Sequence, residues 1–232
     1  IVQASEQPNW TRIRMRLLSF VAVFLAYQRN ALALHAAVIE VNGRAIALCG
    51  ASGAGKSTLA TLLVSRGHAL LTDDVAIAPR ALSGPVMVQP GFPHIKITET
   101  AAHALGIAVD NPLGLGGAEP SKHLLAVGNR FRAEPRPLAA VLMLATHDDG
   151  DMTIQRLPAF EVMGNWEAIL CCPRLAYGIA ERELMARFLA LLQAVPVCRF
   201  SRPRDLARLD ETAAAVEAFS RNLTDCHAPS AG

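Results

Sequence analysis

Two adjacent acids, Asp73 and Asp74, follow Lys56 by 17 and 18 residues. Lysine is rare in this chain; only Lys56, Lys96 and Lys122 occur. Lys56 stands in a glycine-rich run of Gly50, Ala51, Ser52, Gly53, Ala54, Gly55, Lys56, Ser57 and Thr58. Gly50 to Ser57 fit the spacing G-x-x-x-x-G-K-[ST], a loop that cradles phosphates. Its backbone N–H groups point inward and the following helix adds partial positive charge, so the two together hold a polyphosphate. Lys56 is then expected at the β- and γ-phosphates and the Ser57 hydroxyl on Mg²⁺. ATP and Mg²⁺ are the expected cofactors. Phosphoryl transfer needs one carboxylate near Mg²⁺ and its waters, and one that orients the acceptor hydroxyl and takes its proton. Asp73 and Asp74 are candidates for those two roles, against the plain alternative of a solvated Asp-Asp turn.

The elements around these residues support the chemistry. Arg44 to Cys49 is a short apolar run that reads as a buried strand, and Ser57 to Arg66 has helical spacing and stops at Gly67. The pattern is therefore strand, glycine loop, helix. Ala33 to Val41 precedes Asn42-Gly43, and Asn-Gly between two strand-like runs is a strong hairpin signal. A two-residue turn pairs Val41 with Arg44 and Ile39 with Ile46. Continued to its end, that register sets His35 opposite Gly50. A lone histidine is as readily structural as catalytic, and this placement makes His35 a candidate. Ala69 to Thr72 reads as the next core strand, which puts the two aspartates at its carboxyl end, the edge where open α/β sheets bind ligands.

Elsewhere Trp10 to Arg16 alternates like an edge strand, and Leu17 to Gln28 reads as a buried helix rather than an export signal. Strands are expected at Val75 to Ala78, Val86 to Val88, His94 to Thr98, Lys122 to Val127 and Ala139 to Thr146. Met152 to Leu157 is expected to pair back on the last of these. Glu99 to Leu105 reads as a short helix. Asn111 to Ser121 is rich in Gly and Pro and is a lid candidate or an ordinary loop. Helices are expected at about Phe160 to Leu170 and Ala180 to Leu192. A strand follows at Val197 to Phe200, then a terminal helix from Asp210 to Asn222 with Asp210 as its N-cap. The resulting division is a core over residues 1–157 and a helical appendage over 158–232.

Composition narrows the classes. The 232 residues are 52% apolar and 18% charged, with mean hydropathy +0.28 and net charge +2. That supplies a core and excludes general disorder. It also allows some surface to be buried in a homo-oligomer. No basic tract with interleaved aromatics occurs, so nucleic acid is not an expected partner. The apolar run Leu17 to Tyr27 is too short to span a bilayer, so no membrane association is expected. Cys49, Cys171, Cys172, Cys198 and Cys226 form no metal-type C-x-x-C pair. Free thiols in a reducing cytoplasm are expected. The first residue is Ile1, so a preceding segment is expected.

The order His35, the loop at 50–57, Arg66-Gly67-His68 and Thr72-Asp73-Asp74 resembles HPr kinase/phosphorylase and its relatives. The resemblance covers Leu34 to Asp74 closely and extends to about Ala145. It implies a phosphate-loop kinase core of HPr kinase type, an α/β fold whose mixed sheet carries a β-hairpin into the phosphate loop. It implies a protein-serine kinase in which Asp74 acts as base toward the serine, His35 assists and Asp73 serves the metal. By the same resemblance Glu99 stands at a magnesium-associated glutamate and Lys122 at a basic catalytic residue. The family's E-I-R-G-L-G type signature is replaced here by Glu99-Thr100-Ala101-Ala102-His103-Ala104-Leu105-Gly106, which makes HPr the less expected acceptor. Leu34-His35-Ala36-Ala37 and Pro90-Gly91-Phe92-Pro93, with the helical tail, look more like the related proteins encoded beside lasso-peptide genes, which phosphorylate a serine of a peptide precursor.

The leading expectation is an ATP-dependent kinase acting on a serine hydroxyl of a peptide or small protein. A small-metabolite kinase and a regulatory nucleotide-binding NTPase module are the alternatives. The guanine motif N-K-x-D and the transporter segment L-S-G-G-Q are both missing from the sequence.

Overall fold

The computed structural model describes residues 10–79, 84–109, 122–148, 150–176 and 181–223. In order the elements are α1 (Trp10–Gln28), β1 (Leu32–Leu34), β2 (Ala36–Val41), β3 (Arg44–Cys49), α2 (Lys56–Ser65), β4 (Ala69–Thr72) and β5 (Ala76–Ala78). There follow β6 (Met87–Val88), β7 (His94–Thr98), α3 (Glu99–Ala104), β8 (Lys122–Ala126), β9 (Arg136–His147) and β10 (Thr153–Arg156). The chain closes with α4 (Ala159–Gly164), α5 (Glu181–Ala194), β11 (Val197–Pro203) and α6 (Leu209–Asn222).

The main sheet is mixed and runs β10-β11-β9-β3-β2-β4, with β6 pairing to β9. β3 and β11 lie parallel to β9 on its two sides, and the β2–β3 and β2–β4 pairs are antiparallel. Side chains alternate across the sheet, as a two-residue period requires. Val38, Ala47 and Cys49 join one apolar cluster with Tyr27 of α1 and Phe188 of α5. Ile39, Ile46 and Leu48 join a second cluster with Leu59 and Leu63 of α2 and Val216 of α6. Helices thus cover both faces of a fully buried central sheet, an α/β architecture with the mixed sheet and hairpin that were expected.

Four expectations are corrected. Trp10 to Arg16 is not an edge strand but the start of α1. Nothing between Arg16 and Leu17 breaks a helix, so the propagating helix absorbs the alternating segment. Nor is α1 wholly buried: Val23, Ala26 and Tyr27 face the core, while Phe20, Val21 and Phe24 are exposed. Thr153–Arg156 does not pair back on β9; it pairs with β11, which takes the β9 edge in parallel. The tail after residue 157 supplies α4, α5 and α6 and the strand β11, which lies inside the main sheet. Asp210 is in the first turn of α6 rather than its N-cap, which is Arg208. The lid candidate at 111–121 lies outside the described residues. Cys49, Cys171, Cys172 and Cys198 are free thiols. No helix among the described residues is long and apolar enough to cross a membrane.

The Arg66-Gly67-His68 segment ties α2 to α6. Arg66 donates to both Glu217 carboxylate oxygens at 2.8 and 2.9 Å, and His68 Nε2 lies 3.0 Å from Oε1. The Arg66 hydrogen bonds, with His68 beside them, hold the Glu217 carboxyl down at about 2, against an ordinary 4.5. A depressed folded-state pKa stabilises above the unfolded value and loses that contribution as pH falls through the folded one. Glu217→Gln is therefore expected to melt below the parent at neutral pH, with the gap closing as pH falls from 4.5 toward 2. Melting temperatures measured across that window check it; a gap independent of pH contradicts it.

Candidate active site

The phosphate loop is built by glycine where only glycine fits. Gly50 follows β3 at φ 145°, and a Cβ there would meet the Leu144 carbonyl oxygen at 3.0 Å and the Ala54 Cβ at 3.1 Å. Gly53 and Gly55 sit at φ 81° and 85°, the left-handed region that side chains avoid. Gly55 leads into α2, whose first residue is Lys56. The Lys56 ammonium donates to the Gly50 and Ala51 carbonyls at 2.7 and 3.2 Å, so it lies over the loop. Ala51, Ser52 and Gly53 are exposed along the rim, and Ala54, Lys56, Ser57 and Thr58 are half-buried.

The hairpin holds the expected register from Val41↔Arg44 to Ala36↔Cys49. His35 and Gly50 follow just past the last pair. His35 Nδ1 lies 3.1 Å from the Asp74 carbonyl oxygen, which makes Nδ1–H the donor. It is 3.7 Å from the Asp74 carboxylate. Burial lowers the His35 pKa, and the Lys56 charge adds to that against the pull of Asp74, so the ring is neutral at pH 7.

The two aspartates leave β4 in different directions. The Ser57 hydroxyl donates to Asp73 Oδ1 at 3.1 Å, and the Lys96 backbone N–H donates to Asp73 Oδ2 at 2.8 Å. Burial pushes the Asp73 carboxyl up to about 6, although both hydrogen bonds oppose it. Asp74 has φ 80°, an uncommon conformation for a residue other than glycine. Its carboxylate accepts from Lys96 Nζ at 2.6 Å. Burial alone would raise the Asp74 pKa; the Lys96 ammonium outweighs it, and the net shift is downward, so the carboxylate is ionised. Lys122 opens β8 opposite Thr98, and its charge acts on His35, Lys56 and Asp74. Glu99 lies exposed in the first turn of α3. Among the described residues no group of three His, Cys, Asp or Glu side chains could hold a metal ion. A cation here would draw on Ser57, Asp73 and phosphate oxygens, the hard oxygen donors that Mg²⁺ takes. The glycine cradle, the helix N-terminus and this donor pair fit a magnesium nucleotide.

Lys96 and Arg202 were not anticipated as site residues. Lys96 shares the polar face of β7 with His94 and Thr98, opposite buried Ile95 and Ile97. Its alternation and the rarity of lysine were the available signals. Arg202 comes from β11, far along the chain, and had no local signal. It is 6% exposed, and its Nη2 donates to the Ala54 carbonyl at 2.9 Å. A Cβ on Gly55 would collide with the same guanidinium. Its Nε has no partner. Arg202 therefore braces the loop through the Ala54 carbonyl. A hydrogen bond to a charged group contributes about 1.5–3 kcal/mol, so Arg202→Met should weaken MgATP binding by about tenfold or more. Its melting temperature should fall only modestly, because the unpartnered Nε is removed along with that bond. Calorimetric affinity with a melting curve checks both; unchanged affinity contradicts the bracing role.

Fold and site together define an α/β protein with a nucleotide-phosphate loop and an aspartate pair beside it. Residues 27–90 match the family described as HPr Serine kinase C-terminal domain. The HPr kinase/phosphorylase of Nitrosomonas europaea is 42% identical over 73 residues, which are 30% of this chain and 22% of that protein. That of Clostridium beijerinckii is 30% identical over 133 residues, 55% of this chain and 43% of that protein. A solved structure of the Hpr(Ser) kinase/phosphatase from Coxiella burnetii superposes with TM-score 0.45 at 12% identity, covering 82% of this chain and 97% of that one. Over residues 27–90 the chain is similar to the HPr kinase C-terminal domain. It spans less than half the length of the curated relatives it matches.

Proposed function

We propose that this chain is an ATP-dependent kinase that transfers the γ-phosphoryl group to a serine hydroxyl of a peptide or small protein. The observation that carries the reading is the division of labour at Asp73 and Asp74. One carboxylate is bonded to the phosphate-loop Ser57, and the other is held ionised by Lys96 beside a neutral His35. MgATP would supply the phosphoryl group and a cation that neutralises charge on the β- and γ-oxygens. Ser57 and Asp73 would hold the cation, with Glu99 in the first turn of α3 as a further candidate. Lys56 would offer its ammonium to the phosphates. Asp74 would accept the hydrogen bond of the serine hydroxyl and take its proton. His35 would fix the Asp74 backbone, and Lys122 would add positive charge where the transferred group gathers negative charge.

The curated relatives are HPr kinase/phosphorylases, so HPr stands as an acceptor beside the peptide precursors expected from the sequence. The test is incubation with γ-labelled ATP and, separately, HPr and serine-containing peptides. Acid-stable label on serine is the expected result. ATP hydrolysis with no labelled acceptor supports the NTPase module instead.

A further inference from the structure

The kinase reading leaves open what holds the acceptor beside Asp74. A hollow of about 440 Å³ lies next to that centre, between α1, residues 89–92 and the β7–β8 pair. Its volume is within the range of about 300–1,000 Å³ that ligand sites occupy. Ala22, Val75, Ile77, Pro90, Phe92 and Leu124 give it mainly apolar walls. Asp73 and Lys96 also line it, so the hollow shares two side chains with the proposed transfer centre. These two side chains present little free charge to the hollow. The Lys96 ammonium is engaged by Asp74 at 2.6 Å, and Asp73 accepts from Ser57 and the Lys96 backbone.

The walls are set by the backbone. Gln89 N–H donates to the Ile77 carbonyl at 2.9 Å and Gly91 N–H to the Leu71 carbonyl at 2.8 Å, which straps residues 89–91 across the ends of β4 and β5. Gly91 is pressed against Thr72 so closely that a Cβ would collide with the threonine hydroxyl. Phe92 stands 49% exposed on this strap. A preformed apolar hollow recognises an apolar group with little ordering cost.

We propose that this hollow is the acceptor subsite, and that it takes a large apolar side chain flanking the acceptor serine of a peptide substrate. The proposal rests on the serine-kinase reading. The serine hydroxyl would sit at Asp74 on one side of Lys96, and the neighbouring apolar residue would enter on the other.

The experiment uses the full chain, MgATP and a positional library of peptides with one fixed serine. An apolar preference is expected at one set position relative to the serine. Fully burying such a side chain is worth about 1.5–3 kcal/mol, so replacing it with Asp should lower kcat/KM by about ten- to a hundredfold. Ala22→Phe, which fills the hollow from α1, should raise the KM for the preferred peptide by a similar factor. Its kcat at saturating peptide and its KM for MgATP should stay those of the parent. The peptide arm needs no variant, so it decides the matter even where Ala22→Phe folds poorly. Serine transfer with no apolar preference at any position overturns the subsite while leaving the kinase reading intact, as does an unchanged peptide KM in a folded Ala22→Phe. Failure of the parent to label any serine, on the library or on HPr, overturns the kinase reading and the subsite with it.

Discussion

Lys56→Ala is expected to fold like the parent and to lose phosphoryl transfer. The side chain is outside the core: Lys56 is half-buried and donates to the carbonyls of its own loop. What it supplies is a positive charge at the place where the β- and γ-phosphates gather negative charge. Removing one such preorganised group costs about 10²–10³ in rate. The loss should therefore be at least of that order, with a melting temperature close to the parent's. The check is a transfer rate paired with a melting curve on the same preparation. Undiminished transfer would remove the assignment of the loop.

The second large effect separates the two acids. Asp74→Asn should bind MgATP nearly as the parent does and transfer about 10²–10⁴ times more slowly, the range a general base contributes. Asp73→Asn should instead weaken Mg²⁺-dependent nucleotide binding. The two carboxylates have different neighbours: Ser57 for Asp73, Lys96 and His35 for Asp74. Calorimetry with MgATP and with ATP alone, set beside transfer rates, distinguishes the variants. Transfer at the parent rate by Asp74→Asn shows that it is not the base.

Much of this arrangement was legible because its signals are local. The Asn42-Gly43 turn sets a register that runs to Ala36↔Cys49 and delivers His35 to the loop. The glycine spacing declares the phosphate cradle, and one helix plus one short strand brings the aspartates to it. Lys96 and Arg202 were hidden because tertiary pairing places them. β7 reaches the aspartates through a small separate sheet with β8, and β11 reaches the loop through its parallel pairing with β9. The partner of β10 was misjudged for the same reason: a short turn after β9 favours a hairpin, and nothing local announces that a later strand takes the edge. Arg66-Gly67-His68, part of the motif order that carries the family resemblance, ties α2 to Glu217 on α6.

The most direct measurement counts two products of one reaction. ADP and phosphoserine are quantified together as the parent turns over γ-labelled ATP with HPr and, in parallel, with the serine peptide library. The kinase account predicts one phosphoserine for each ADP on at least one of these acceptors, and neither product from Lys56→Ala. ADP accumulating without phosphoserine on any acceptor would contradict it and assign the chain to nucleotide hydrolysis.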